Sequence, residues 1–435
     1  MIVEGGAGVK HINNSFRHLI ARHESLRTSF VIVDGQPVQR IHDEVEFKIE
    51  HYDLKISNYE EIARGSQLPT HLTKEFVRLF DLSRAPLLRV GLIKISAEKH
   101  IMMVDMHHII TDGVSTGILM REFVRFYRGE KLPHLRVQYK DFSERQWEQI
   151  NSGQLVSQKE YWLSRFRGEL PVLDMPADYR RPPVQSLAGD KIKFRLEEQL
   201  HRDLHLLMRK TGTTLYMVSM AVLVILLNRY TDRHDIIVGS PFAGRSHPDL
   251  ENMVGLLVET LVIRNNLSRD KHFGLFLKEV KENILAAYEN QSYPYGELIK
   301  QLGLGRDLSR NPLFDVMLNV REMETFDAAV DADGLRFIPL EANLSVSRCD
   351  LLLDVIAAEE GMGGIRFELE YCSQLFKRVS MEKFSRFFIN ILNEVVKNPA
   401  IQISRIKMLS DEEEGQIGQT GEKKLAADFD FQADQ

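Results

Sequence analysis

The segment MHHIITDG, Met106–Gly113, places two histidines, an aspartate and a glycine next to one another. A histidine side chain has an unperturbed pKa of about 6.5, so either ring is suited to proton transfer near neutral pH. The aspartate and glycine are typical of a tight turn or of a helix cap before the next helix. Three interpretations follow: a metal site, a catalytic base with its support, or a strand that ends in polar residues.

Strand alternation separates the two histidines. Adjacent side chains of a strand point to opposite faces, so His107 and His108 do not easily bind one metal ion, and a zinc site needs further ligands. In a strand that continues through His108, this residue shares an apolar face with Met102, Val104 and Met106. We expect a desolvated base at such a position, and the alternative is a buried histidine that a backbone carbonyl satisfies.

Composition limits the classes of protein. A chain of 435 residues predicts two domains, and a net charge of -6 gives no basic surface for nucleic acid. Two cysteines supply neither a disulfide framework nor a four-cysteine zinc site. The apolar run Leu215–Leu227 is shorter than the roughly 20 residues of a membrane span, so it predicts a buried core helix. Without a signal-peptide pattern, we expect a cytoplasmic protein with no membrane partner.

The first half of the chain alternates between helical and strand patterns. Apolar residues at helical spacing predict a helix that contains Ile12, Phe16, Leu19 and Ile20, and a hairpin follows around Asp34-Gly35. A second strand pair covers Pro86–Ile95 and His100–His108, and a further helix follows Gly113.

The second half begins after a proline-rich stretch, Leu170–Gly189, which predicts a linker. Beyond it the patterns predict helices at about 197–211, from Thr214, at Phe273–Tyr288 and at Val379–Lys397, with strands at Asp235–Phe242 and near 314–320, 350–357 and 364–371. Because helices and strands mix without regular alternation, the fold class is α+β. The predicted divisions are a subdomain at 1–169, the linker at 170–189, a subdomain at 190–410 and a polar tail at 411–435.

Five motifs carry a resemblance to a known family. MHHIITDGVS is similar to the HHxxxDG signature of condensation domains from non-ribosomal peptide synthetases. RHESLRTSF (Arg22–Phe30) and RDLSRNPLF (Arg306–Phe314) resemble two further family motifs closely. NQSYPYGEL (Asn290–Leu298) and VGLLVETLVIR (Val254–Arg264) resemble two others less closely. Because the matches follow the family's order across nearly the whole chain, the resemblance is more specific than one motif alone.

The resemblance implies a fold and a reaction. Family members form a V-shaped pseudo-dimer of two subdomains, each similar to chloramphenicol acetyltransferase, with a tunnel between them. An upstream carrier protein brings a donor acyl or peptidyl thioester on 4′-phosphopantetheine, and a downstream carrier protein brings an aminoacyl acceptor. The acceptor amine attacks the donor carbonyl. The enzyme is therefore expected to be an amide-forming acyltransferase without a metal or bound cofactor, beside an adenylation domain and monomeric when isolated.

The motif position implies that His108 is the main catalytic residue, with His107 beside it. Asp112 is expected to be structural, buried and paired with an arginine that fixes the loop. Family members have an arginine at the position of Arg245, in SPFAGR, so Arg245 is the first choice for this partner. Arg264 and Arg27 are the alternative partners.

Three more residues complete the expected site. Gly113 is expected to let the backbone turn tightly, with its amide facing the oxyanion. Ser115 and Glu259 are expected to line the tunnel, although Glu259 stands where the family motif FVNT has asparagine. A carboxylate there would change substrate contacts or the pKa of a nearby histidine.

Departures from the family pattern leave alternatives open. The chain has no SxAQxRLW-like segment, so it is expected to be truncated at its N-terminus, and YKDFSER (Tyr139–Arg145) lacks the usual tryptophan. The tail lies where a linker to an adenylation domain would begin. The alternatives are an epimerisation domain, a stand-alone acyltransferase that uses coenzyme A, and a catalytically silent docking module. The motifs favour the condensation branch that accepts L-configured donors.

Overall fold

The computed structural model describes residues 1–5, 8–52, 75–305, 307–323, 330–332, 334–340, 346–357 and 364–409. Two compact units are present. Unit 1 contains Met1–Leu155, Ala243–Glu259 and the described residues of 330–340, and unit 2 contains the rest. The predicted tail from residue 411 and Arg306 of the late motif lie outside the described residues. The linear boundaries at 169 and 190 stay a prediction, but unit 1 also takes segments from the second half of the chain.

A six-stranded sheet forms the centre of unit 1. Its strands are β1 (Ile2–Glu4), β4 (Glu50–Tyr52), β5 (Leu88–Lys94), β6 (Lys99–Met106), β11 (Val330–Ala332) and β12 (Leu335–Ile338), in the order β11-β12-β1-β6-β5-β4. The predicted pairing of β5 with β6 is confirmed and is antiparallel, with Arg89 opposite Asp105. Only the pairing of β4 with β5 is parallel among these described strands.

Two helices cover this sheet. The predicted helices are confirmed as α1 (Val9–Arg22) and α2 (Gly113–Tyr127). Phe16 of α1 and Phe123 of α2 pack together with ring centroids 4.9 Å apart, and both are buried in the core of unit 1. This core therefore fixes the start of α2, where the histidine motif ends.

The predicted hairpin is confirmed as β2 (Thr28–Val33) and β3 (Gln36–Ile41). Asp34 and Gly35 have φ angles of 50° and 76°, the left-handed region that a tight hairpin turn requires. The sequence patterns missed α3 (Tyr139–Asn151), which begins with a reciprocal cap between Gln138 and Asp141.

Unit 2 has a second six-stranded sheet. Its strands are β7 (Gly189–Arg195), β8 (Asp235–Phe242), β9 (Glu259–Asn266), β10 (Val316–Glu322), β13 (Leu351–Ala357) and β14 (Arg366–Cys372), in the order β7-β14-β13-β10-β8-β9. The first residue of β9, Glu259, belongs to unit 1. Strands β7 and β9 were not predicted, and the other four lie where the patterns placed them, within about two residues.

Helices pack on this second sheet. They are α4 (Val156–Arg165), α5 (Glu198–Thr211), α6 (Leu215–Thr231), α7 (Phe273–Glu289), α8 (Tyr295–Leu302) and α9 (Arg378–Lys397). The predicted core helix is confirmed in α6, which is buried on every side from Met217 to Asn228. With both sheets covered by helices in no regular alternation, the α+β class is confirmed.

None of the described helices alone is long and apolar enough to cross a membrane. The consecutive helices α5 and α6 meet the length and composition criterion only as a pair, which is bent by 104°. Cys349 and Cys372 are both free and buried.

Candidate active site

The histidine motif forms a short turn between β6 and α2. The prediction that the strand continues through His108 is wrong, because β6 ends at Met106 and His108 begins a 3-10 turn, His108–Ile110. The His108 side chain is consequently exposed, and Val104, its predicted neighbour on an apolar face, is 41% exposed. The turn, and not strand alternation, decides where this ring points.

Hydrogen bonds hold the two rings in opposite tautomers. His108 Nδ1 lies 2.6 Å from the carbonyl oxygen of Thr111, so Nδ1 carries the proton that it donates. The neutral ring of His108 then has its lone pair at Nε2, the nitrogen used for accepting a proton. His107 Nδ1 instead accepts from the backbone N–H of Ile109 at 3.1 Å, so its proton is on Nε2. His107 caps the turn, while His108 presents a basic nitrogen.

Asp112 anchors the turn from the other side. Its backbone is extended, and its Oδ1 accepts from the Ser115 N–H at 2.7 Å, which makes it the N-cap of α2. Its Oδ2 accepts from the backbone N–H groups of Leu257 and Val258 at 3.0 and 3.1 Å. The carboxylate is buried, with 1% of the side chain exposed, so its charge must be balanced inside the protein.

Arg245 supplies that balance. Its guanidinium reaches both oxygens of Asp112, Nη1 to Oδ2 at 3.0 Å and Nη2 to Oδ1 at 3.0 Å. It also donates to the carbonyl oxygens of Ala243 and Met253. Burial favours a higher pKa for the Asp112 carboxyl, but the hydrogen bonds and charge of Arg245 and the Ser115 amide outweigh it, so this pKa is lowered.

The other two arginine candidates lie elsewhere. Arg264 binds Asp235 in unit 2, with Nη2 2.6 Å from Oδ2. Arg27 donates to the His42 carbonyl and lies 3.5 Å from Glu24. Of the three arginines considered, the structure therefore brings only Arg245 to Asp112.

Ser115 ties α2 to the segment 253–259. Its hydroxyl donates to the carbonyl oxygen of Gly255 at 2.9 Å and accepts from the Gly255 N–H at 3.1 Å. Arg245 Nη2 also donates to this hydroxyl at 3.0 Å. Ser115 is fully buried, so its contribution is to hold these elements together rather than to contact a ligand.

The expectation that Gly113 allows a tight backbone turn is wrong. Gly113 is the first residue of α2 and is not among the glycines with positive φ, so the backbone turn does not require glycine here. The turn is made instead by Asp112 in an extended conformation. A Cβ at Gly113 would meet no atom within 4 Å, which leaves the backbone at the start of α2 open on this side.

Glu259 lies beside α3. Its Oε1 accepts from Gln146 Nε2 at 3.3 Å. Burial, with contributions from Glu259 and Asp112, raises the pKa of Tyr139 to about 12, so the phenol stays protonated and donates to the Leu256 carbonyl at 3.0 Å. The Tyr139 ring covers Gly255, where a Cβ would lie 2.1 Å from Cδ2.

The residues of the upstream motif pair with charged side chains of α2 and α3. Glu122 of α2 lies 3.0 Å from Arg22 Nε and 2.6 Å from His23 Nε2. Glu24 binds Lys140 at 2.9 Å. Among the described residues, no group of three or more His, Cys, Asp or Glu side chains is arranged to hold a metal ion.

The loop thus contains an exposed histidine, His108, and a buried aspartate–arginine pair, and sequence comparison identifies the family of the chain. The condensation-domain family matches residues 1–417, and the chain belongs to this family. Tyrocidine synthase 3 of Brevibacillus parabrevis is 44% identical over 413 residues, 95% of this chain but 6% of that protein. Gramicidin S synthase 2 of Aneurinibacillus migulanus is 44% identical over 96% of this chain and 9% of its own length. The chain thus spans less than a tenth of these relatives.

Solved structures share the fold. The X-domain from teicoplanin biosynthesis, in complex with OxyB, has a TM-score of 0.84 at 24% identity, covering 94% of this chain and 90% of that one. A holo four-domain nonribosomal peptide synthetase bound to AMP and glycine has a TM-score of 0.84 at 20% identity, covering 95% of this chain and 32% of that one. These matches confirm the α+β fold, and the family match over residues 1–417 confirms the resemblance to condensation domains.

The sequence patterns missed several residues of the site. The amides of Leu257 and Val258 and the phenol of Tyr139 were not predicted, because backbone donors and a structural tyrosine leave no motif. The capping role of His107 was also missed, since it depends on the 3-10 turn.

Proposed function

We propose that this chain catalyses amide formation between two thioesters carried by phosphopantetheine arms. The α-amine of an aminoacyl acceptor attacks the carbonyl carbon of an acyl or peptidyl donor, and the carbon–sulfur bond of the donor breaks. The observation that carries this proposal is the exposed side chain of His108, whose Nε2 is left unprotonated in the neutral ring by the Nδ1–Thr111 hydrogen bond.

The proton balance assigns a role to that nitrogen. An α-amine has a pKa of about 8, so much of it is protonated at neutral pH and must lose a proton before or during attack. His108 Nε2 accepts this proton or a hydrogen bond from the amine, and the departing thiolate gains a proton as the amide forms. The Gly113 amide, at the start of α2 where an added Cβ would meet no atom within 4 Å, is the proposed donor to the oxyanion.

Asp112 and Arg245 act on the shape of the loop and not on the substrate. Both side chains are at least 94% buried, and their hydrogen bonds go to each other and to protein groups. A buried ion pair of this kind holds one conformation at a large desolvation cost. Its proposed contribution is to fix α2 relative to the histidine turn, which keeps Nε2 in position.

The proposed partners follow from the relatives. The chain covers 6% of tyrocidine synthase 3 and 9% of gramicidin S synthase 2, so carrier proteins and an adenylation domain are proposed as neighbours. The two phosphopantetheine arms belong to the carriers, and no metal or cofactor of its own is proposed. Tethering two substrates to one site supplies proximity, which contributes up to about 7–11 kcal/mol. The proposed donor stereochemistry is L.

The decisive experiment is single-turnover dipeptide formation between a donor carrier loaded with an L-aminoacyl group and a loaded acceptor carrier. The parent chain is compared with His108→Ala and with His107→Gln, and thermal unfolding checks that each variant is folded. We expect product with the parent and a loss of about 100-fold or more for His108→Ala, within the range for general acid–base catalysis. Equal rates for parent and His108→Ala would refute the proposed role.

Controls separate the alternative functions. An epimerisation domain would exchange the α-proton of a carrier-bound aminoacyl group in D₂O without an acceptor. A stand-alone acyltransferase would use acyl-coenzyme A as well as the carrier-bound donor. A docking module would bind carriers and form no product with any donor. The teicoplanin X-domain, which shares this fold, was solved in complex with another protein, OxyB, and is the reason for including this alternative.

A further inference from the structure

The ring of His107 contacts a group of side chains that the proposed reaction does not use. Phe80 packs edge-on against it, with ring centroids 6.2 Å apart and ring planes at 88°. The guanidinium carbon of Arg89 lies 3.8 Å from the centroid of the Phe80 ring, a cation–π contact. Phe80 is therefore held between a cation and the first histidine of the motif.

Arg89 is fixed in turn. Its Nη1 lies 3.1 Å from Asp105 Oδ2 and 2.6 Å from the Arg78 carbonyl oxygen, and its Nη2 reaches the Leu79 carbonyl oxygen at 3.4 Å. Arg89 and Asp105 are directly opposite each other on β5 and β6. Their side chains are only 13% and 18% exposed, so the pair is protected from solvent screening.

The orientation of His107 helps to hold the 3-10 turn that contains His108. The His107 backbone N–H donates to the Leu87 carbonyl at 3.0 Å, and its Nδ1 accepts from the Ile109 N–H. If the ring rotates, Ile109 loses its acceptor and the 3-10 turn loses its cap. His108 starts that turn, so a change in the orientation of His107 would displace the proposed base.

We propose that Phe80, Arg89 and Asp105 form a brace that positions His107 and, through it, the turn that presents His108. The inference rests on the proposed function, but Phe80, Arg89 and Asp105 lie outside all five recognised motifs. Arg89 is the central member, because its planar guanidinium alone both stacks on Phe80 and binds a carboxylate and two carbonyl groups. Asp105 lies in β6, the strand that leads into His107, so its ion pair with Arg89 connects the brace to that strand.

The brace predicts a particular pattern of variants. Arg89→Lys keeps the charge but loses the planar stack, and Phe80→Leu keeps apolar volume but loses the ring. Each is expected to lower the transfer rate at saturating carrier concentration by about tenfold to a hundredfold, with carrier affinity unchanged, because a displacement of about 1 Å near the reacting groups has effects of this size. Phe80→Tyr keeps the ring and is expected to retain the parent rate.

The matched control is Arg125→Lys. Arg125 lies on α2 in the same unit, pairs with Glu130 and is 48% exposed, so the same substitution there is expected to change neither rate nor stability. Thermal unfolding is measured for every variant. A loss of rate that parallels a loss of folded protein, or a change in carrier affinity alone, overturns the positioning role.

A second measurement does not depend on catalysis. Protein labelled with ¹⁵N-histidine reports the tautomer of each ring, and the His107 signals are assigned by their loss in His107→Gln. The parent is expected to show His107 with its proton on Nε2, and Phe80→Leu and Arg89→Lys to show a mixture of tautomers. Unchanged His107 signals in both variants overturn the brace. A parent without transferase activity refutes the proposed function, and the tautomer measurement then decides the brace by itself.

Discussion

At the scale of single residues, Asp112 shows how one carboxylate holds a loop. Its two oxygens accept five hydrogen bonds, from both Arg245 Nη atoms and from the N–H groups of Ser115, Leu257 and Val258. Apart from the Ser115 amide, these donors come from one distant segment, Ala243–Glu259. The single side chain therefore fixes the start of α2 to that segment of unit 1.

Replacing Asp112 by asparagine is expected to lower the free energy of unfolding by about 3–5 kcal/mol, because Arg245 then remains as a buried and unbalanced charge. Urea unfolding followed by circular dichroism measures the change. The matched control is Glu130→Gln, an acid-to-amide change at a 39% exposed carboxylate in unit 1, which is expected to cost less than about 1 kcal/mol. Similar losses for the two variants would contradict the assigned importance of the buried pair.

The buried carboxyl of Asp315 is expected to destabilise the protein when it is charged, in contrast to that of Asp112. Burial and the charge of Asp350 raise the pKa of Asp315 to about 7, although Arg310 lies 3.2 Å from its Oδ2. The folded state keeps the proton at pH values where the unfolded chain has released it. This carboxyl consequently costs no stability below pH of about 4, and its destabilising effect grows as the pH rises to about 7.

Asp315→Asn removes the ionisable group, so the variant is expected to unfold at a higher temperature than the parent at pH 7.5. The difference should shrink as the pH is lowered towards 4.5, because the parent carboxyl is then protonated in the folded state. Melting temperatures of both proteins across this range measure it. A constant difference at every pH would show that Asp315 does not titrate there.

At the scale of elements, two glycines near the site have different physical roles. A Cβ at Gly255 would lie 2.1 Å from the Tyr139 ring, whereas a Cβ at Gly113 would meet nothing within 4 Å. Gly255 therefore allows α3 to pack on the segment 253–259. Gly113 is not required by packing or by backbone conformation.

The substitutions Gly255→Ala and Gly113→Ala should distinguish an effect on the stability of unit 1 from an effect on the open space at the start of α2. Gly255→Ala is expected to destabilise unit 1 by about 1–3 kcal/mol through overpacking. Gly113→Ala is expected to leave stability unchanged or raise it by up to about 1 kcal/mol, since alanine is the better helix former. It should nevertheless lower the transfer rate, because its methyl group enters the open space at the start of α2. Thermal unfolding and single-turnover transfer measure both, and a fully active Gly113→Ala would contradict the proposed use of that space.

Elements with a clear apolar pattern could be predicted from the sequence, and those without one could not. Helix α6 is apolar on every side and was recognised, and the Asp34-Gly35 turn identified its hairpin. Helix α3 has no buried residue, so it lacks the continuous apolar pattern that identified α6. The donors to Asp112 were beyond prediction for a different reason: Leu257 and Val258 are 145 and 146 residues away, and backbone N–H groups carry no residue identity.

At the scale of the whole molecule, unit 1 is assembled from separate parts of the chain. Residues 1–155 supply most of it, but Ala243–Glu259 carries Arg245 and the amides that bind Asp112. Strand β12 pairs with β1 and is also contributed by the second half of the chain. A fragment that ends before the linker therefore lacks the charge partner of Asp112 and leaves β1 as an unpaired edge.

This arrangement predicts the behaviour of a chain divided within the linker. The fragment 1–169 alone is expected to be unfolded or aggregated, because the buried Asp112 carboxylate has no counter-charge and the sheet has an open edge. Coexpressed with residues 170–435, it should fold and co-elute in size-exclusion chromatography. Arg245→Met in the second fragment should weaken that association, whereas Arg202→Met, at a 56% exposed side chain of α5, should not. A stable, monomeric fragment 1–169 would show that the crossing segments are dispensable for unit 1.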